Sequence, residues 1–458
     1  MNDSLSIPDL FQIAACVCFI VGLKMMGRKH SARRGNLLSA AGMTVAVVAA
    51  LWSADVSLAM ILTVVAAGSI VGATLAVRVK MTSMPELVAV FNGLGGLSSL
   101  GVGLVGLLPS SGLGTASQVL SVASVIIGGI AFSGSLIAYA KLAGKMNGAP
   151  VVFPLQLTIS AVSLAAALGV GAWVIGSDAR LVPAAVLAVI AIGLGILSVV
   201  RIGGGDMPVV VALLNSYSGI AAALAGTAIA QPTLMIAGTL VGASGFMLTQ
   251  VMCKAMNRSI TNVLFAGFGG QTAAGGGTKE ATGSVKPIDA ADTFLMLEAA
   301  RSVIIVPGYG MAVAKAQHVV KDLAQLLIAN GTDVRFVIHP VAGRMPGHMN
   351  VLLAEAGVEY EMLAEPQDVN DAMGLVDVAL VIGANDVVNP DARDDASSPL
   401  FGMPIINVDL ARASVVLKRS MASGFAGVEN SLFTAPNTRM LFGDARSSIS
   451  GIVEQFKA

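Results

Sequence analysis

The sequence predicts a multi-span α-helical membrane domain of about nine helices, followed by an α/β domain with a parallel, doubly wound sheet. Three observations carry that prediction. First, the 458 residues are 55% hydrophobic and only 12% charged, where a soluble chain carries about 25% charged residues. Second, the charge is divided unevenly: residues 1–260 hold 13 Lys/Arg and 6 Asp/Glu, and the remainder holds 14 and 21. Third, the apolar pattern changes from long uninterrupted runs to strand, turn and helix alternation after about residue 300. The net charge of zero is therefore the sum of a basic and an acidic half. It names no partner, and no nucleic-acid partner is expected. Disorder, a collagen-like chain and a disulfide framework are excluded, since three Cys cannot staple a fold of this size.

Apolar runs occupy residues 5–26, 35–53, 57–77, 85–108, 116–140, 151–176, 181–200, 208–230 and 232–252. Each is long enough to cross a hydrocarbon core of about 30 Å as a helix. An odd number of spans puts the termini on opposite faces, and the connections say which. The odd-numbered ones hold Arg28, Lys29, Arg33, Arg34, Arg78, Lys80, Lys141, Lys145 and Arg201, whereas the even-numbered ones hold only Arg180. The positive-inside rule then predicts an N-terminus outside and a cytoplasmic C-terminal half. The start lacks a basic stretch ahead of its apolar run, so the first span reads as retained. Cys16, Cys18 and Cys253 have no metal-ligating neighbours in sequence and read as apolar filler.

Within the spans, Gly68-x-x-x-Gly72 and Gly238-x-x-x-Gly242 have the spacing that lets helix backbones touch in lipid. Polar residues at membrane depth are costly unless paired or wet. Asn92 in the fourth span, Asp206 at the mouth of the eighth, and Asn215 and Ser216 in its middle are such residues. Interhelical hydrogen bonding would account for any one of them; together they predict a narrow polar route suited to protons or water. These features place a transmembrane domain, with its polar route for protons or water, at 1–258. A Gly/Ala/Thr-rich stretch within 259–288 reads as a flexible linker, and residues 289–458 as the soluble domain.

In that domain Asp289 is placed to cap a helix. SVIIV at 302–306 predicts a buried strand, 307–310 a tight turn, and 311–330 a single helix ended by Gly331. Strands follow at 333–339, 377–382, 404–408 and 414–418. The turn reads Gly308, Tyr309, Gly310, Met311, Ala312, Val313, a G-x-G-x-x-V variant of the dinucleotide fingerprint between a strand and a helix, which makes the sheet Rossmann-like. Its glycines would let backbone N–H groups approach a pyrophosphate. An NAD site wants an acid at the end of the second strand. Here that strand ends at His339, with Arg344 five residues on, and Lys418 and Arg419 end the last strand. A missing acid with cations at the carboxyl edge predicts an NADP site. No acid–base pair, nucleophile or metal set accompanies it, so a hydride must come from elsewhere.

The strings MTSMPELVA, GGGDMPVVVALLNSYSG, MCKAMNRS, VPGYGMAVAKAQ, IHPVAGRMPGHMNVLLAEA, VIGANDVVNP, GMPIINV, KRSM and MLFGDA carry a resemblance. Along nearly the whole chain the sequence resembles the beta subunits of proton-translocating NAD(P) transhydrogenases. That resemblance implies NADP(H) on this chain and NAD(H) on a separate alpha subunit, with hydride passing between the two nicotinamides as protons move inward. It also implies a dimer of alpha–beta units in the cell inner membrane. Carried over by motif, residues 308–313 form the loop beside the nucleotide. Val341, Ala342, Gly343 and Arg344 contact its phosphates and ribose. Gly383, Ala384, Asn385 and Asp386 lie near the nicotinamide half, with Asn385 and Asp386 as catalytic and coupling residues. Lys418, Arg419 and Ser420 hold the 2′-phosphate, residues 421–427 with Gly424 and Phe425 supply a lid, and Gly443, Asp444 and Ala445 complete the pocket. Asn92 stands where some members carry His. Since Asn cannot titrate, the resemblance leaves the proton-binding group to a His of the alpha subunit. Phe425 stands where Tyr is common. Two other readings compete, a nucleotide-gated channel or sensor and a membrane-anchored reductase.

Overall fold

The computed structural model describes residues 7–26, 31–52, 57–79, 83–108, 112–148, 150–177, 180–203, 206–257, 259–265, 284–345, 347–398, 400–421 and 428–457. The chain divides into two compact units, one of residues 1–80, 86–201 and 210–248, the other of residues 81–85, 202–209 and 249–458. The core of the linker (266–283) and residues 422–427 lie outside the described residues, and with them Gly424 and Phe425.

Among the described residues nine helices are long and apolar enough to cross a membrane. They are α1 (Ile7–Met26), α2 (Ala32–Trp52), α3 (Leu58–Arg78), α4 (Met84–Leu107), α5 (Thr115–Leu142), α6 (Gln156–Gly176), α7 (Leu181–Val200), α8 (Met207–Ala228) and α9 (Pro232–Ala255). Small residues set the packing, because lipid offers helices no hydrophobic reason to associate and only close contact adds dispersion energy. A Cβ on Gly96 of α4 would stand 2.7 Å from the Phe132 nitrogen of α5, and one on Gly219 of α8 would stand 2.8 Å from Gly242 Cα of α9. The second GxxxG pair, Gly238 and Gly242, thus does what its spacing predicts. The first does not: Gly68 and Gly72 of α3 have nothing within 4 Å, and no described residue of α3 is buried. Spacing alone names a face that could pack, and cannot say that a partner is there.

Two of the polar residues serve as interhelical ties. Asn92 Nδ2 donates to the Val211 carbonyl of α8 at 3.2 Å, and Ser216 Oγ donates to the Gly242 carbonyl of α9 at 2.7 Å. Asn92 and Ser216 are buried, whereas Asn215, one turn beyond Val211, is half-buried. Asp206 is also buried.

After a short helix, α10 (Ile260–Phe265), the α/β part is built on seven parallel strands in the order β1-β7-β6-β5-β2-β3-β4. The strands are β1 (Pro287–Ile288), β2 (Ser302–Pro307), β3 (Asp333–Val337), β4 (Leu363–Ala364), β5 (Val378–Ile382), β6 (Ala413–Lys418) and β7 (Thr438–Phe442). The helices are α11 (Ala290–Glu298), α12 (Tyr309–Val313), α13 (Gln317–Ala329), α14 (His348–Glu355), α15 (Pro366–Val369), α16 (Asp391–Asp394) and α17 (Ala445–Lys457). Alternate strand residues enter two cores, as strand geometry requires. Val303, Ile305, Leu380 and Ile382 pack among the helices. Ile304, Val306, Ala379 and Val381 pack with Val388, Ile406 and Leu432 from turns and irregular segments. Asp289 caps α11 by accepting the Asp292 N–H at 2.8 Å, as predicted.

Two expectations need correction. The predicted helix 311–330 is two helices: α12 ends after one turn, Lys315 takes φ +52, and the Ala316 N–H closes on the Met311 carbonyl at 3.1 Å. Met311 and Ala316 are both fully buried by this turn, while Ala316, Val320, Leu323 and Leu327 still keep helical spacing, so the periodicity conceals the break. Residues 404–408 form no strand. Their backbone is satisfied instead by a loop and a side chain, with the Ile406 N–H on the Val387 carbonyl at 2.9 Å and Asn370 Nδ2 on the Ile405 carbonyl at 2.8 Å. Ile406 and Val408 cover the sheet rather than extend it. β3 also stops before His339, and β7 had no expectation because Thr438 and Arg439 interrupt its apolar run.

Candidate nucleotide-binding site

The strand order reverses between β2 and β5. From β2 the chain proceeds outward through β3 and β4; from β5 it proceeds the other way through β6 and β7. The carboxyl ends of strands beside such a switch point leave a crevice, because the connections diverge to opposite sides. A cavity of about 280 Å³ lies there, lined from four loops: Gly310 and Val313 after β2, Gly383 to Asn385 after β5, Leu417 to Arg419 at the end of β6, and Gly443 and Ala445 after β7.

The two glycine turns meet. The Gly308 N–H donates to the Ile382 carbonyl and the Gly310 N–H to the Gly383 carbonyl, each at 2.9 Å. Gly383 has φ +66, and a Cβ on Gly310 would stand 2.6 Å from Gly383 Cα. Glycine is required at 383 both for its left-handed backbone and for the close approach. The N–H groups of Gly308 and Gly310 are committed to the neighbouring turn, so the fingerprint here shapes the floor of the crevice. Met311 and Ala312 turn their side chains into the core, as does Ala342.

Cations collect at the rim. Lys418 Nζ lies 4.4 Å from the centroid of the Phe433 ring; burial pulls its pKa down, and the charge of Asp386 opposes that. Arg419 is exposed and reaches Asp444 Oδ2 at 3.4 Å. Asp444 is held in turn, its Oδ1 accepting the N–H groups of Arg446 and Ser447 at 3.1 and 3.3 Å at the start of α17. The Gly443 N–H donates to the Lys418 carbonyl at 3.0 Å, so β6 and β7 deliver their turns together. Ser420 is exposed beside Arg419.

The Val341–Arg344 loop joins through Tyr309 and two buried histidines. Arg344 Cζ sits 4.3 Å over the Tyr309 ring, a cation–π contact. The Arg344 N–H donates to His348 Nδ1 at 3.1 Å. Gly343, at φ +108, backs directly onto the His348 ring. His339 Nδ1 accepts the Val341 N–H at 3.3 Å and its Nε2 pairs with the Pro404 carbonyl at 2.8 Å. Nδ1 accepts, so Nε2 carries the proton and donates. Burial depresses both imidazoles to about 4; for His339 the Pro404 carbonyl opposes the shift, and for His348 the Arg344 charge adds to it. Both histidines are therefore neutral struts near neutral pH.

The cavity is lined by nine of the residues predicted from sequence, Gly310, Val313, Gly383, Ala384, Asn385, Lys418, Arg419, Gly443 and Ala445, and adds Leu417; Tyr309, the Val341–Arg344 loop, Asp386, Ser420 and Asp444 are not among its lining residues. Asn430, which no motif indicated, stands behind the lining and ties the chain after residue 427 to Asn385. A lone Asn in a loop has no pattern by which sequence reading could find it. The residues fit a dinucleotide: the crevice stands at a switch point, its floor is side-chain-free at Gly310 and Gly383, and its rim carries Lys418 and Arg419.

The family profile described as NAD(P) transhydrogenase beta subunit matches residues 9–455. Two relatives, both called NAD(P) transhydrogenase subunit beta and both from Rhodospirillum rubrum, one of them a specified strain, are each 46% identical over 454 residues. The alignment covers 96% of this chain and 97% of each relative. With nine apolar helices among the described residues, a parallel α/β domain and a match over nearly the whole chain, the chain belongs to the NAD(P) transhydrogenase beta subunit family.

Proposed function

We propose that this chain binds NADP(H) in the crevice between β2 and β5. With an alpha subunit that carries NAD(H), it couples hydride transfer between the two nucleotides to inward proton movement. The observation that carries the reading is the Lys418–Arg419 pair at the rim of the crevice, combined with a neutral His339, two residues past the end of β3, in the region where an NAD site would place an acid. Lys418 and Arg419 hold the 2′-phosphate, and Arg344 with Tyr309 supports the phosphate and ribose side. Asn385 and Asp386 stand at the reacting end as the catalytic and coupling residues. The bilayer part lies in the inner membrane with its N-terminus outside, the α/β part is cytoplasmic, and two alpha–beta units pair.

Hydride exchange between chemically similar nicotinamides is nearly balanced, so direction needs an outside drive. One proton crossing about 100 mV supplies about 2.3 kcal/mol, roughly a 50-fold bias. Asp206, Asn92, Asn215 and Ser216 provide the polar positions along the proposed proton route. Membranes holding this chain and its alpha partner should reduce an NADP analogue with NADH faster when energised, and an uncoupler should remove the acceleration. A rate indifferent to the uncoupler overturns the proposal.

A further inference from the structure

The segment that follows residue 427 is stitched to the turn after β5. Asn430 Nδ2 donates to both the main-chain and the side-chain oxygen of Asn385, at 3.0 and 3.1 Å. Asn389, wholly buried, donates to the Glu429 carbonyl at 2.9 Å, and Ser431 Oγ donates to Asp391 Oδ1 at 2.7 Å. Asn430 itself is buried, and its own Oδ1 accepts the Leu432 N–H at 3.0 Å.

That last bond decides the orientation of two amides. A backbone N–H can only donate, so the Asn430 atom facing it is oxygen and the other is the NH₂ group. The Asn430 NH₂ then faces Asn385, whose facing atom must be its oxygen. The NH₂ of Asn385 is what remains. It is shielded from solvent without a partner among the described residues, on a side chain that lines the crevice. A buried donor left unpaired costs about 1–3 kcal/mol, so an acceptor supplied by a ligand would relieve it.

We propose that Asn430 is a positioning residue that sets the Asn385 amide with its NH₂ toward the nucleotide, so that the crevice presents a donor to an acceptor oxygen of the bound nucleotide. This rests on the NADP(H) reading above. Asn430→Ser keeps an oxygen for the Leu432 N–H but is too short to reach Asn385. Asn430→Asp keeps the length and removes the donor.

The test is a cycle of these two variants with Asn385→Ala in the full-length chain, read by direct NADPH titration and by thermal unfolding without nucleotide. Each single variant should bind NADPH about tenfold more weakly. The doubles should be no weaker than Asn385→Ala alone, since Asn430 acts through Asn385. Losses that multiply to about a hundredfold, or Asn430 variants that bind like the parent, overturn the proposal. A purely structural role would lower the unfolding temperature and leave the losses multiplicative. A parent chain that bound NADPH no better than NADH would instead undo the NADP(H) reading, before any variant is made.

Discussion

Gly310 donates its N–H to the carbonyl of Gly383 at 2.9 Å, and the two residues touch backbone to backbone beneath the crevice. The contact joins the turns of β2 and β5 where the strand order reverses, and it leaves no room for a side chain on either residue. Gly383→Ala must take a methyl group at φ +66 into the Gly310 backbone. We expect a loss of about 1–3 kcal/mol in stability from the left-handed strain and at least about tenfold weaker NADPH binding as the turns separate. Thermal unfolding and NADPH titration of the full chain measure both.

Arg419 is exposed at the rim with Asp444 at 3.4 Å. Arg419→Ala should weaken NADP(H) by about tenfold or more, while ligands without a 2′-phosphate lose little, because a charge-assisted bond to phosphate is what disappears. Parallel titrations with NADP⁺ and its 2′-dephospho counterpart decide the assignment; equal losses would refute it.

His339 and His348 are each 1% exposed, and burial holds each near 4 against an ordinary 6.5. The folded pKa lies below the unfolded one, so the stability tied to these neutral rings is complete above pH 6.5. It declines as pH falls towards 4, because only the unfolded chain takes up the protons. Each ring amounts to about 3 kcal/mol over that window. Protection factors of the β3 amides in the full chain, corrected for the slower intrinsic exchange at lower pH, should fall between pH 6.5 and 4. His348→Asn should flatten part of that dependence.

Gly219 packs against Gly242, and Gly68 faces open space. Gly219→Ala should destabilise the detergent-solubilised chain by about 1–3 kcal/mol through overpacking, whereas Gly68→Ala should unfold at the parent temperature. A dye-based thermal shift distinguishes them.

Asp206 is a buried carboxyl at the start of α8. Asp206→Asn should impair proton-coupled transhydrogenation with the alpha subunit while retaining part of the NADPH affinity. An unaltered proton-pumping rate in vesicles would count against its place on the route.

The membrane spans were legible because a bilayer accepts only long apolar helices, so composition over about 20 residues suffices. The Gly308–Val313 turn and the Lys418–Arg419 pair were legible for a related reason: glycine and adjacent cations mark positions where backbone space and charge matter locally. The break at Lys315 was not, since Ala316, Val320, Leu323 and Leu327 preserve one apolar stripe across it. Nor was the irregular course of 404–408, whose Ile406 and Val408 are as apolar as any strand but are buried from above the sheet.

By itself, then, the sequence determined the division into a bilayer part and an α/β part, the nine apolar spans, and the residue types that a phosphate-bearing ligand would need. The tertiary structure decided which of them meet. Only the strand order brings Gly310 to Gly383 and Lys418 to Gly443, and only the fold sets Asn430 against Asn385, 45 residues away in the chain. It also separated Gly238 from Gly68, two identical motifs with different surroundings. Local patterns report what a segment can do alone; hydrogen bonds and close packing between distant segments depend on where the whole chain places them.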